Sequence, residues 1–217
     1  MVTTGFSKPY VAKYTTTPGA TANTYTGGML LGRGVEVSME IDAADDNNFY
    51  ADDVIAESAA AQFTSAEATI TIDGLEPEAA TLILGLPAPT EFEVATSVNV
   101  QMQAYGGTID PPYVGLAYIR RTMMHGKTGF WPVIHPKVRF GLPSDSAATQ
   151  EDQIDWQTQE LSTTVLRDDT AKANWKLTTA EPLETEAKAE AVIKKYFNIT
   201  DALTLKAASA PAEEEAK

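Results

Sequence analysis

Apolar and polar residues alternate with a period of two through much of this chain. Val35-Glu36-Val37-Ser38-Met39-Glu40-Ile41-Asp42 does so without a fault. Successive side chains of a strand point to opposite faces. The segment therefore predicts a strand with one buried face and one wet face, the latter carrying Glu36, Ser38, Glu40 and Asp42. Residues 68–73 and 97–104 alternate in the same way. Residues 6–14 read as a short first strand, which Pro9 confines to a sheet edge or a strand start. Residues 113–124 and 130–140 are apolar, β-branched and aromatic, and they flank His125-Gly126-Lys127-Thr128-Gly129. That arrangement predicts two strands joined by a hairpin turn. A further strand region, one strand or two, is expected over 154–167. Residues 17–28, rich in Thr and Gly, and the polar stretch 143–153 read as loops.

The period breaks over 43–62. Here Asp45, Asp46, Asn47, Asn48, Asp52 and Asp53 surround Phe49 and Tyr50. This reads as a long acidic loop, and loops of that length inside a compact domain are usually functional. Residues 76–84 predict a short helix, with Pro77 near its first turn and Gly85 just past its end. Ala189, Val192, Ile193, Tyr196 and Phe197 fall on one face of a second helix, with Thr185 as its N-cap. The apolar pattern fades after Asn198, and residues 201–217 are expected to form a disordered tail. Strands dominate and no βαβ alternation occurs, which argues against a parallel sheet. The expected fold is mainly β: an antiparallel β-sandwich or distorted barrel with a flanking α-helix, in one domain over 1–200.

Composition narrows the class. A chain of 217 residues buries enough surface to fold without staples. It has no cysteine, which excludes disulfides and thiolate metal sites. The N-terminal residues lack an apolar h-region, so no signal peptide is expected. No apolar run is long enough to span a membrane as a helix, so no membrane partner is expected. The net charge is −14, which disfavours nucleic acid and anionic lipid as tight partners. The charge is uneven. Eight acids and no base lie between Glu36 and Glu57. Five bases (Arg120, Arg121, Lys127, Lys137 and Arg139) and no acid lie between Pro111 and Pro143. One reading is chance distribution over a solvated surface. The other is a contact between subunits, with Asp45, Asp46, Phe49, Tyr50, Asp52 and Asp53 meeting Arg120, Arg121 and Lys127 of a neighbour. Arg120 and Arg121 are adjacent in a strand, so they are expected on opposite faces.

Catalytic and cofactor motifs are wanting. Gly126-Lys127-Thr128 resembles the end of a phosphate loop, but Arg121 stands where its first glycine belongs and no helical pattern follows. Gly32-Arg33-Gly34 lacks the third glycine of a dinucleotide site and leads into a strand. The two histidines, His125 and His135, would need carboxylates to complete a zinc shell. The acids from Asp42 to Asp53 lack the spacing of a calcium loop. No GxSxG elbow is present. Trp131, Trp156 and Trp175 read as core or interface anchors rather than as a sugar platform. No catalytic, cofactor or metal residues are expected, and the chain reads as a structural protein rather than an enzyme.

Several segments, taken in order, carry a family resemblance. They are Gly5-Phe6-Ser7-Lys8-Pro9-Tyr10-Val11-Ala12, Gly34-Val35-Glu36-Val37-Ser38, Asp45-Asp46-Asn47-Asn48-Phe49-Tyr50-Ala51-Asp52, Ala56-Glu57 and Asp73-Gly74-Leu75. Pro112-Tyr113-Val114-Gly115-Leu116, Tyr118-Ile119-Arg120-Arg121, Ile154-Asp155-Trp156-Gln157-Thr158 and Thr185-Glu186-Ala187 complete the series. Together they resemble the major tail proteins, or tail tube proteins, of long non-contractile-tailed bacteriophages; the resemblance runs from about residue 5 to about residue 197, and residues 86–111 and 198–217 fall outside it. It implies a β-sandwich subunit that forms hexameric rings, whose inner strands join into one barrel and which stack into a tube. It implies a virion location, in the tail, with the host cytoplasm as the place of assembly. The implied partners are copies of the chain itself, other tail proteins such as the tape measure and terminator, and genomic DNA, which passes through the lumen without tight binding. The acidic strand residues Glu36, Glu40 and Asp42 would face that lumen. Alternatives of the same size and β content are another virion structural protein, such as a tail terminator or capsid decoration, and a surface- or carbohydrate-binding β-sandwich module.

Overall fold

The computed structural model describes residues 2–44, 47–51, 54–95, 98–107, 109–143 and 158–199. The protein is mainly β and antiparallel. The main sheet runs in the order β2 (Tyr25–Leu30), β1 (Val2–Tyr14), β9 (Val114–Met124), β10 (Lys127–Phe140), β11 (Gln159–Leu166), β6 (Phe63–Ile72) and β3 (Gly34–Ala43). The two-residue strand β12 (Leu177–Thr178) adds to β10. Two hairpins stand apart from it: β4 (Asn47–Ala51) with β5 (Val54–Ala59), and β7 (Thr90–Ala95) with β8 (Val98–Met102). The helices are α1 (Pro77–Leu84) and α2 (Glu186–Tyr196).

The β9–β10 hairpin is the spine. His125 and Gly126 both have positive φ (50° and 75°), and Met124 pairs directly with Lys127. Two central residues at positive φ make the turn whose twist matches the flanking strands. It is tighter than the five-residue turn that composition suggests, because Lys127, Thr128 and Gly129 already pair in β10.

Each face of the sheet buries one apolar layer. Val11, Leu116, Phe140, Leu161 and Ile70 point to one side and meet Ala79, Ala80, Ile83 and Leu84 of α1. Tyr10, Ala12, Ala117, Ile119 and Ile134 point to the other and meet Ala189 and Ile193 of α2 and Phe197, which caps it. Full burial of a side chain such as Leu, Ile or Phe contributes roughly 1.5–3 kcal/mol, so the two layers hold both helices in place. Both helices have the ends that the sequence predicts. Gly85 takes φ 65° and its N–H closes on the Thr81 carbonyl. Thr185 Oγ1 accepts from the Lys188 N–H at 3.3 Å.

The sheet curls far enough that Phe6 of β1 packs on Gly34 of β3. A Cβ on Gly34 would come within 2.1 Å of the Phe6 ring, so only glycine allows this approach. β1 and β3 form no ladder, and the barrel stays open between them.

Four expectations need correction. The first strand is longer than 6–14 and lies inside the sheet, between β2 and β9. Pro9 is tolerated there because the β1–β9 register breaks between Ser7 and Tyr10, beside Lys8 at φ 51°. Part of the expected loop 17–28 is strand β2, anchored by buried Tyr25, whose hydroxyl donates to the Pro136 carbonyl at 3.0 Å. The acidic excursion 43–62 contains the β4–β5 hairpin, whose register shift between Phe49 and Tyr50 disrupts the period that would have revealed it. The alternation over 97–104 does form β8, but Val100 and Met102 are 40% and 53% exposed rather than buried, and its partner β7 carried no expectation. The expected loop over 144–153, the start of the strand region at 154–157 and the tail 201–217 lie outside the described residues.

Candidate functional site

Strand β3 sits at one end of the sheet, with β6 on one side and, among the described residues, a free edge on the other. Its period-two pattern places Glu36, Ser38, Glu40 and Asp42 on one exposed face. The apolar face was expected to be buried, but it is covered only in its middle. Val37 and Met39 are half-buried against the core, while Val35 and Ile41 are 54% and 55% exposed. The cause is topological: an edge strand over an unclosed barrel has no neighbour to complete its cover.

That apolar face lines one wall of an open cavity of about 520 Å³ between β3 and β1–β9. Phe6, Tyr118 and Arg120 line the facing side, together with Lys176 from the segment before β12. Phe6 and Tyr118 meet edge to face at 5.2 Å between ring centroids. Arg120 Nε is shielded from solvent and has no hydrogen-bond partner among the described residues. Burial lowers the Lys176 pKa below its ordinary value, and the neighbouring Arg120 charge lowers it further. Two cations thus face a partly apolar cleft, and neither forms an ion pair among the described residues. Glu36 also lines the cleft and forms an ion pair with neither.

The three basic residues proposed for a subunit contact do not share one surface. Arg120 lines the cleft, while exposed Arg121 lies along Gly5 on the other face of β9, the alternation that adjacency in a strand requires. Lys127 is exposed at the start of β10. Asp45, Asp46, Asp52 and Asp53 lie outside the described residues, and Phe49 and Tyr50 lie in β4. The remaining bases of the basic stretch are neutralised within the chain. Lys137 pairs with Asp169 at 2.9 Å, and Arg139 pairs with Asp110.

Lys176 was absent from every sequence expectation. It lies in an irregular segment and reaches the cleft only through tertiary structure, so no local pattern marks it. The same holds for the packing around His135, which is fully buried. Its Nδ1 lies 3.1 Å from the Trp175 carbonyl, fixing that nitrogen as the donor, and its Nε2 has no partner among the described residues. Burial pushes its pKa down to about 4, so it stays neutral near pH 7. Trp175 stacks on Phe63 at 4.5 Å, and Trp131 donates to Thr122 Oγ1 at 3.0 Å. Both tryptophans are therefore tied into the fold, while Trp156 lies outside the described residues. No group of three or more His, Cys, Asp or Glu side chains is placed to hold a metal ion among the described residues. No helix among them is long and apolar enough to cross a membrane. No protein-family model and no curated relative matches the chain.

Proposed function

We propose that this protein is the structural subunit of a phage tail tube, which assembles into stacked hexameric rings around a DNA conduit. The observation that carries this reading is β3, a ten-residue edge strand with a free side, a half-open apolar face and a fully exposed acidic face. A long unpaired edge is a template for another strand, and folded proteins seldom leave one bare. Ring closure by copies of the same chain removes the edge, as closure of a barrel does. Within such a ring the row Glu36, Glu40 and Asp42 lines the channel and repels DNA phosphates, so cargo slides without adhering. The segments that resemble tail tube proteins, taken in sequence order, support this identity for the assembly, and the flanking helix α2 fits the expected subunit.

Sedimentation velocity with negative-stain microscopy across a concentration series tests the proposal. Long hollow polymers of uniform width are expected. Assembly that stops at one ring favours a terminator-like virion protein. A chain that stays monomeric, with affinity for glycans, favours a binding module.

A further inference from the structure

The β7–β8 hairpin and the cleft beneath β3 are complementary. Phe92 pairs across the hairpin with Val100, and Met102 lies two residues further along the same face. These side chains are 58%, 40% and 53% exposed, and Val94, at the adjoining bulge, is 60% exposed. Glu91 and Glu93 flank Phe92 and point the opposite way. Glu91 accepts only long bonds, from Asn99 at 3.4 Å and Gln101 at 3.3 Å. One element of the chain thus presents an unburied apolar face backed by carboxylates. Another presents an apolar wall, with Val35 and Ile41 uncovered, facing Arg120 and Lys176, which form no ion pair among the described residues, although Lys176 lies over the Trp175 ring at 5.8 Å.

We propose that the cleft between β3 and β9 receives the β7–β8 hairpin of a second copy of this chain. Phe92 lies against the apolar row of β3, and Glu91 and Glu93 turn toward Arg120 and Lys176. Two carboxylates meet two cations of opposite sign, with Glu36 the one acid in the cleft lining. An arriving carboxylate gives the shielded Arg120 Nε a partner; burial is the main cause of the lowered Lys176 pKa, and the carboxylate offsets the smaller one, repulsion from Arg120. Within one chain Phe92 remains exposed, so the hairpin does not fill its own cleft. The contact is heterologous, donor to acceptor, and such contacts generate rings or filaments according to whether their rotation closes. The inference rests on the self-assembly reading above and assigns it a specific pair of surfaces.

The test uses the full-length chain with a photo-crosslinking phenylalanine in place of Phe92, mixed with isotope-labelled chain that lacks it. The expected product joins position 92 of one copy to residues 35–41 or 118–120 of the labelled copy. Arg120→Glu with Lys176→Glu should weaken association by roughly tenfold or more, and Glu91→Lys with Glu93→Lys should do the same. Mixing these two variants, each checked for a native circular-dichroism spectrum, should recover much of the loss. If the chain assembles but position 92 crosslinks elsewhere, or only within its own chain, the docking proposal is wrong and the tube reading stands. If the chain does not assemble, a peptide of residues 88–104 is titrated into it and followed by amide chemical shifts. Shifts confined to the cleft then keep the docking and remove the tube, and their absence overturns both.

Discussion

Glu190 is the most informative single position for the seating of α2. Its carboxylate accepts from Tyr10 Oη at 2.7 Å, pairs with Lys8, and pairs one turn along the helix with Lys194 at 2.9 Å. Ser7 adds a bond to Glu186 at 2.7 Å, so β1 and α2 are joined at two points. Burial alone would raise the Glu190 pKa, but the bonds from Lys8, Tyr10 and Lys194 outweigh it and hold the group at about 2. The Glu190 side chain is 17% exposed and that of Lys8 is 38% exposed. A carboxyl held at that level rather than at its usual ~4.3 gains about 3 kcal/mol before solvent screening. With the cluster partly open to water, about 1–2 kcal/mol is the expected effect. Glu190→Gln should lose that amount in urea unfolding at pH 7, at a concentration where the chain is monomeric. The sign with pH follows from linkage. The folded-state pKa is depressed, so the stabilisation is fully present above the unfolded value near ~4.3 and vanishes as pH falls through about 2. The difference between wild type and Glu190→Gln should therefore shrink steadily over that window. Equal stability at pH 7, or a difference that persists unchanged at pH 2, would refute the reasoning.

Three further outcomes are expected. Gly115→Ala places a Cβ 2.5 Å from the Tyr25 ring and 2.7 Å from the Phe197 ring, so overpacking should cost about 1–3 kcal/mol in the same unfolding assay. His135 is neutral when folded, with its pKa lowered to about 4, and the unfolded chain binds the extra proton between about 6.5 and 4. Stability should fall with pH across that window by up to about 3 kcal/mol, and His135→Phe should flatten this part of the pH profile. The wild-type chain should show no submicromolar affinity for duplex DNA at physiological salt in a gel shift. Glu36→Lys, Glu40→Lys and Asp42→Lys together should create binding that weakens steeply as salt is raised.

Long periodic segments were the most legible part of the sequence. The alternation from Val35 to Asp42 marked β3, and of the row Ala189, Val192, Ile193, Tyr196 and Phe197 along α2, Ala189, Ile193 and Phe197 are buried and Tyr196 packs against them, while Val192 is exposed. Helix ends were readable because Gly85 and Thr185 act through their own backbone and side chain. Features that depend on distant contacts were hidden. Gly27 and Gly28 made β2 look like a loop, although pairing with β1 and the burial of Tyr25 decide the matter. The alternation of β3 implied a covered apolar face, yet period alone cannot say whether a neighbouring strand exists to cover it. The cleft combines Phe6, Tyr118, Arg120 and Lys176 from three separate stretches of chain, and only the curl of the sheet brings them together. Charge segregation along the sequence was real, but Lys137 and Arg139 find their acids at Asp169 and Asp110, beyond the acidic stretch.

The central claim is that β3 is an assembly edge whose acidic face lines a conduit. A helical cryo-electron microscopy reconstruction of the polymer formed by the purified chain tests it most directly. The account predicts a hollow tube of stacked six-fold rings, with Glu36, Glu40 and Asp42 facing the lumen and the free edge of β3 paired or covered by a neighbouring copy. A chain that forms no tube at high concentration, or a tube in which β3 lies on the outer surface with its edge bare, would contradict it.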